Sequence, residues 1–388
     1  MAAPVAIIGG GIGGLTLALA LRRRGMDAEV HEQAPELREV GAAVALSANG
    51  TRVLRELGLG EGLARCGAVP TELIYRRWDS GARVHDHPVA ADYERRFGAP
   101  YYGVHRADLQ RLLAAECGDR VRLGRRLVGI SAAGSGHRLE FADGSVTEAE
   151  VVVGADGVHS AVRRWVTGEA PAAYSGTSGF RGLVPVEQLP SLPDPQAIQF
   201  WMGPGAHLLH YPIGDGSIVN FLAVVHEPER WSAPGWTEDV PVERIRDRFA
   251  DWHPGVRELV ERTSLPQRWG LFGQRALNRW YRGGAVLLGD AAHAMLPHHG
   301  QGANQTIEDA VTLAECLRDG DRATALRRYA RLRRARTRAV QRSSWIASGL
   351  LHLPDGAEAE RRDHQLTGIG TTLHWIHSHD ARAAAIRR

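Results

Sequence analysis

Three glycine clusters, each beside a carboxylate, mark where this chain could hold a phosphorylated cofactor. The first is Gly9-x-Gly11-x-x-Gly14, with Gly13 in the same loop and Glu32 18 residues beyond Gly14. Glycines permit a tight turn and let backbone N–H groups approach a pyrophosphate at a positive helix end. A carboxylate at that separation accepts hydrogen bonds from a ribose. The second cluster, VVVGADGVHSAVRR at 151–164, sets Asp156 between two glycines ahead of a helix. Its carboxylate suits either a helix cap or a loop near a pyrophosphate. The third, GDAAHAMLPHHGQGANQ at 289–305, lies some 275 residues past Gly14. There Asp290 ends an apolar run and suits ribityl or ribose hydroxyls, and the loop Gly300, Gln301, Gly302, Ala303, Asn304 offers N–H groups to an anion. A protein that binds only a dinucleotide has no use for this third cluster. One large cofactor spanning the chain, FAD, accounts for all three, because reduced flavin carries negative charge at its N1–C2=O edge.

Strand ends must position these clusters. Residues 4–8 (PVAII), then the glycine turn, a helix from Ile12 to about Arg24, and DAEVHE form a βαβ unit of roughly thirty residues. Leu15, Leu17, Leu19 and Leu21 predict a helix lying between sheet and solvent. Short apolar runs broken by Gly, Pro and Asp at 71–100 and 175–275 predict antiparallel strands, and α/β texture returns between and after them. The expected class is therefore α/β. A Rossmann-like FAD-binding domain (1–70, 101–174, 276–345) interleaves with an antiparallel β-sheet substrate domain (71–100, 175–275), and a helical C-terminal region follows (346–388). A break is expected at Leu353-Pro354-Asp355-Gly356.

Composition narrows the function classes. With 388 residues, 44% of them hydrophobic, the chain can bury a sizeable core, and no window approaches a membrane span or a signal peptide. A cytoplasmic enzyme, monomeric or homodimeric, is expected. Cys66, Cys117 and Cys316 are scattered and odd in number, which argues against a disulfide framework or a zinc site, and no metal is expected. Lysine is absent, so all 47 basic residues are arginine and Schiff-base chemistry is excluded. The arginine-rich stretch 322–342 reads as a solvated helix face rather than a nucleic-acid contact, given a net charge of +3.

Taken with VHRADL around Arg106 and WIHSHD near the end, the three clusters resemble the class A flavoprotein aromatic hydroxylases, typified by p-hydroxybenzoate hydroxylase. The resemblance runs from about Pro4 to Asp380 and is closest to the salicylate hydroxylase-like branch. It implies that Gly9, Gly11, Gly14, Glu32, Arg106 and Asp290 bind FAD, and that the GADG segment serves both FAD and NADH or NADPH. Pro297 and Gly300 through Asn304 are then implied to lie under the flavin ring beside the substrate. Two departures stand out. Gln33 follows Glu32 where the family often has Arg or Lys, and Ala48 replaces a common proline, which would widen the substrate mouth.

The resemblance further implies an NAD(P)H-consuming monooxygenase that passes oxygen from a C4a-hydroperoxyflavin to a small electron-rich aromatic substrate. The protein must then orient the ring, exclude water and draw off a phenolic proton. A free phenol titrates near ~10, so a histidine is the natural acceptor. His207 and His210 in AHLLHYPI and His298 and His299 in the loop are candidates. Three residues apart on a strand, His207 and His210 face opposite sides. His210 is preferred, then His299, with Tyr211 beside it. Arg181 suits a substrate carboxylate or an ion pair, and His293 is expected to stabilise its loop. An epoxidase or Baeyer–Villiger oxygenase acting on a polyketide, and a nucleotide-bound or arginine-helix binding protein without turnover, remain alternatives. The WxWxIP signature and catalytic lysine of flavin halogenases are both missing.

Overall fold

The computed structural model describes residues 5–37, 43–168, 171–227, 230–233, 235–263, 267–318 and 321–387, and Pro4, where the first strand was expected to begin, lies outside them. Two large sheets carry the molecule. The first has six strands in the order 281–282, 285–287, 151–154, 5–8, 28–31, 121–122, and its pairs are parallel except at the 281–282 edge. Val5–Ile8 and Val151–Gly154 are buried throughout, as strands covered on both faces must be.

Helix Ile12–Arg22 connects strand 5–8 to strand 28–31, and every residue from Ile12 to Leu21 is buried. It has no solvent face, contrary to expectation, because helices Gly302–Arg318 and Arg106–Cys117 pack on it. Alternating leucines among alanines and glycines therefore reflect a fully enclosed helix rather than an amphipathic one.

The second sheet has eight strands in the order 237–239, 267–273, 173–185, 218–226, 206–213, 198–203, 72–77, 83–88. It is antiparallel except where Ile198–Gly203 runs parallel to Glu72–Arg77. One face packs on helices Val242–Arg248 and Pro254–Glu261 through Trp201, Leu208, Phe221, Phe249 and Trp252. The other carries Tyr75, Phe200, Leu209 and Tyr211 toward Ala45, Tyr93 and Tyr101. Three-stranded sheets at 43–46/102–105/67–68 and 127–133/136–141/146–149 complete the β structure.

Helix Arg322–Leu351 spans thirty residues and runs through position 345 without a break. The chain interrupts at 353–356, and helices Ala357–Leu366, Ile369–His377 and Ala381–Ile386 follow. Among the described residues no helix is long and apolar enough to cross a membrane.

Candidate active site

A continuous trench runs along the carboxyl ends of the parallel strands, where ligands of open α/β sheets bind. Its three compartments, of about 290, 660 and 350 Å³, all touch Gly11. Gly9 turns out of the first strand at φ +111°, and a Cβ there would stand 2.3 Å from the carbonyl oxygen of Ala155. A Cβ on Gly13 would meet Thr306 Cγ2 at the same distance, so this glycine lets two helices close around the trench. Gly14 packs against the Gly9 carbonyl and does not line the cavity. Glu32 fastens the loop: Oε2 accepts from the Gly10 N–H at 2.6 Å and Oε1 from the Ala34 N–H at 2.9 Å. Gln110, which sequence reasoning missed, donates from Nε2 to the Gly10 carbonyl at 3.0 Å.

Further along, Arg106 and Asp290 line the two larger compartments together, with Pro297 and Arg181. Asp290 follows strand Ala285–Leu287 and exposes its carboxylate there. Asp156 lines the smallest compartment, but its carboxylate accepts from Ala161 N at 2.7 Å, Val162 N at 3.2 Å and the Ser160 hydroxyl. It is thus a cap for helix Ala161–Thr167, the simpler of its two expected roles.

The glycine loop is held by side chains far away in sequence. Asn304 accepts from Ser47 N at 3.0 Å and donates to the carbonyls of Ala45 at 2.9 Å and Gly300 at 2.8 Å. Fully buried, it does not line the trench, which corrects its expected contact with the cofactor. Gln301 donates to Ser47 Oγ at 2.9 Å and accepts from Asn49 Nδ2 at 3.0 Å while still bordering the trench. Gly300, Gly302 and Ala303 line it directly, at the start of helix Gly302–Arg318. These N–H groups and the helix dipole favour an anion there.

Under the loop lies a buried ion network. Arg333 donates to Glu308 at 2.5 Å and Asp309 at 2.6 Å, Arg336 to Glu308 at 2.6 Å, and His293 meets Asp309 at 2.5 Å. Asp309 also accepts from the Gly289 N–H at 2.9 Å, beside Asp290. Burial pushes both carboxyls upward, but Arg333 and Arg336 hold Glu308 well below the usual range, and His293 and Arg333 hold Asp309 below its ordinary value. The stretch 322–342 is therefore not wholly a solvated face. Arg327, Arg331 and Arg338 are exposed, whereas Arg333 is core.

Across the loop from the trench sits an aromatic cavity lined by Tyr75, Tyr93, Tyr101, Phe200, His298 and His377 among others. Ala45, Leu209, Tyr211 and Gly300 border both spaces, so the cavity opens onto one end of the trench. Strand register decides which histidine belongs here. Leu209 and Tyr211 face the cavity, so His207 shares their side and His210 does not. His210 instead lies on the helix-covered face against Trp201, with Arg76 and Asp194 its nearest charges, and burial lowers it to about 3. The expectation that His210 draws off the phenolic proton is overturned by this geometry.

His207 donates to or accepts from His352 at 2.7 Å and stands 5.1 Å, centroid to centroid, from His298. His298 borders the cavity with neither ring nitrogen bonded, and burial holds it well below 6.5, hence neutral. His299 also borders it, with Nε2 2.9 Å from Ser343 Oγ. Arg181 lines the trench and not the aromatic cavity, stacked 5.2 Å over Trp269. A substrate carboxylate held in the cavity would therefore not meet it.

Ala48, at the start of helix Ala48–Glu56, is fully buried and borders no mouth. Its N–H donates to the Tyr93 hydroxyl at 3.0 Å, which lies 3.0 Å from His377 Nδ1. Proline could not make that bond, so the departure tethers the cavity wall instead of widening it. Tyr75, Tyr93 and Tyr101 lie on different elements of one stretch and His377 far along the chain, and they went unrecognised because they share no local pattern. Alternation with Leu209 and Tyr211 was the available signal for His207.

FAD fits this arrangement: two helix starts, the Glu32 loop and the exposed Asp290 carboxylate follow one another along one trench. Residues 2–344 match the family described as FAD binding domain. The 3-amino-4-hydroxybenzoate 2-monooxygenase of Streptomyces cremeus is 42% identical, with 97% of this chain and 95% of that protein covered. The 3-hydroxybenzoate 6-hydroxylase 1 of Aquipseudomonas alcaligenes is 34% identical, with 96% of each covered. Among solved structures, HpxO of Klebsiella pneumoniae complexed with FAD and uric acid superposes with a TM-score of 0.85 at 30% identity, with 96% of both chains covered. With the trench, the adjoining aromatic cavity and these chain-long matches in hand, the chain belongs to the FAD binding domain family and is a flavin-dependent aromatic monooxygenase that uses NADH or NADPH as co-substrate.

Proposed function

We propose that the substrate is an amino- or hydroxy-substituted hydroxybenzoate, bound in the cavity between Tyr75, Tyr93, Tyr101 and His298 and hydroxylated on the edge that faces Gly300 and Tyr211. The observation that carries this reading is the shared border of the two spaces at Ala45, Leu209, Tyr211 and Gly300. A ring in the cavity meets the trench only there. The 42% identity to a 3-amino-4-hydroxybenzoate 2-monooxygenase supports the same substrate class. Bound FAD supplies activated oxygen once a nicotinamide has reduced it.

His298 is the cavity group left to meet a phenol, since both its nitrogens are buried without partners. An unpaired buried polar group costs about 1–3 kcal/mol, which a phenolic O–H would recover by donating to it. Full proton transfer is another matter. A phenol near ~10 facing a histidine below 6.5 would cost about 5 kcal/mol or more. His298 therefore orients and polarises the hydroxyl, and a ring amino group adds the electron density that deprotonation would otherwise supply. Arg181, at the trench end beside Tyr211, orients negative charge on the cofactor side. Glu32, Arg106 and Asp290 hold the cofactor, and the part of the trench beside the GADG turn receives the nicotinamide.

The test is NAD(P)H oxidation by the yellow holoenzyme with 3-amino-4-hydroxybenzoate, 3-hydroxybenzoate, salicylate and urate, with products analysed under ¹⁸O-labelled oxygen. Stimulation by a hydroxybenzoate with one labelled oxygen in the product is expected. Stimulation by urate alone, or turnover without label in the ring, would overturn the proposal.

A further inference from the structure

A second cavity, of about 610 Å³, lies between residues 278–283 and the long helix Arg322–Leu351. Arg279, Arg282, Arg327, Arg331 and Arg334 line it, and no acidic residue does. Positions 327, 331 and 334 follow helical spacing, so the three share one face, opposite Arg279 and Arg282 at the edge of the six-stranded sheet.

Several other surface arginines are paired: Arg55 with Glu94 at 2.7 Å, Arg122 with Glu29 at 2.8 Å, Arg244 with Glu227 at 2.7 Å, Arg382 with Glu56 at 3.3 Å. Among the described residues none of the five groove arginines forms an ion pair. Arg334 donates to the Asn278 carbonyl at 2.5 Å and Arg282 to the Trp165 carbonyl at 3.1 Å, contacts that orient them without neutralising them. Asp321, the nearby helix cap, accepts from the Thr324 N–H at 2.9 Å and is the acidic neighbour of Arg327, with which it forms no ion pair. Five like charges converging on one hollow repel one another until an anion enters.

We propose that this groove binds a compact polyphosphate anion of the pyrophosphate or nucleoside diphosphate class. Arginine forks suit phosphate oxygens bidentately, and the volume falls within the roughly 300–1,000 Å³ of small-molecule sites. A nucleic-acid surface is disfavoured by the net charge of +3 and by the Arg322–Glu150 pair at its margin, 3.2 Å apart. The groove follows the outer edge of the six-stranded sheet and shares no lining residue with the trench, so the two sites are separate.

FAD-saturated holoenzyme titrated calorimetrically with inorganic phosphate, pyrophosphate, ADP and adenosine provides the test. Pyrophosphate and ADP should bind, phosphate more weakly and adenosine not at all, with affinity falling as salt rises. The exposed double variant R327S/R331S should weaken pyrophosphate at least tenfold and leave the KM for NAD(P)H unchanged, while R65S changes neither. Equal pyrophosphate affinity in the double variant, or no heat from pyrophosphate, would overturn the site. Tighter binding of a short DNA duplex than of pyrophosphate would refute the small-anion assignment, and a raised KM for NAD(P)H would refute the separateness of the site.

Discussion

Replacing Arg333 by methionine should destabilise the protein by about 3 kcal/mol and loosen its hold on FAD. The guanidinium makes bonds of 2.6 Å to Asp309, 2.5 Å to Glu308, and 2.9 and 3.2 Å to Gln305. Breaking a buried pair by removing one partner costs roughly 3–5 kcal/mol, because a charge is left uncompensated. Each carboxylate here keeps a second partner, Arg336 for Glu308 and His293 for Asp309, which places the loss at the lower end. With an unfolding entropy of about 2.1 cal/mol/K per residue over 388 residues, 3 kcal/mol corresponds to a fall in Tm of about 4 °C. Thermal unfolding followed by circular dichroism and by release of flavin fluorescence measures both effects. The pH dependence adds a second check. Both carboxyls are depressed in the folded state, so their stabilisation is present above the unfolded carboxylate range and is lost as pH falls toward their folded values. The gap between wild type and variant should therefore hold near neutrality and narrow as pH falls below about 4. A Tm within 1 °C of wild type at pH 7, or a gap that ignores pH, would refute the reasoning.

Four further outcomes follow from the site. Gly9→Ala puts a side chain at φ +111° and 2.3 Å from a carbonyl oxygen, so the purified variant should lack the visible flavin absorbance; a fully yellow protein would count against the turn. His298→Leu should cut hydroxylated product per NAD(P)H consumed, with kcat/KM down about 10²-fold, and unchanged coupling would remove His298 from the reaction. Because burial holds His298 neutral well below its ordinary value, wild-type kcat/KM should show no inflection near pH 6.5, and one assigned to His298 would contradict its burial. His210→Leu should leave turnover within about twofold, and stability equal or higher, since it removes two buried unbonded nitrogens; a large loss of hydroxylation would return His210 to the site.

What could be read from the chain alone was the chemistry written in contiguous residues. A glycine turn, the strand before it and the helix after it are local, because backbone approach to a phosphate depends on a few consecutive φ/ψ angles, and so the cofactor was legible from GGGIGG, GADG and the 289–305 block. Even there, roles blurred where a side chain looked across the fold: Asn304 reaches Ser47, 257 positions away, instead of the trench. The substrate cavity belongs to tertiary structure entirely. Tyr75, Tyr93, Tyr211, His298 and His377 meet only after two sheets and a C-terminal helix have packed. Strand register turns His210 away from Leu209 and Tyr211 to the helix-covered face, while the loop 297–299 brings His298 to the cavity. Arg333 makes the same point for charge. Arg327, Arg331 and Arg338 on the same helix are solvated, and only the packing of helix Gly302–Arg318 turns Arg333 into the partner of two buried carboxylates.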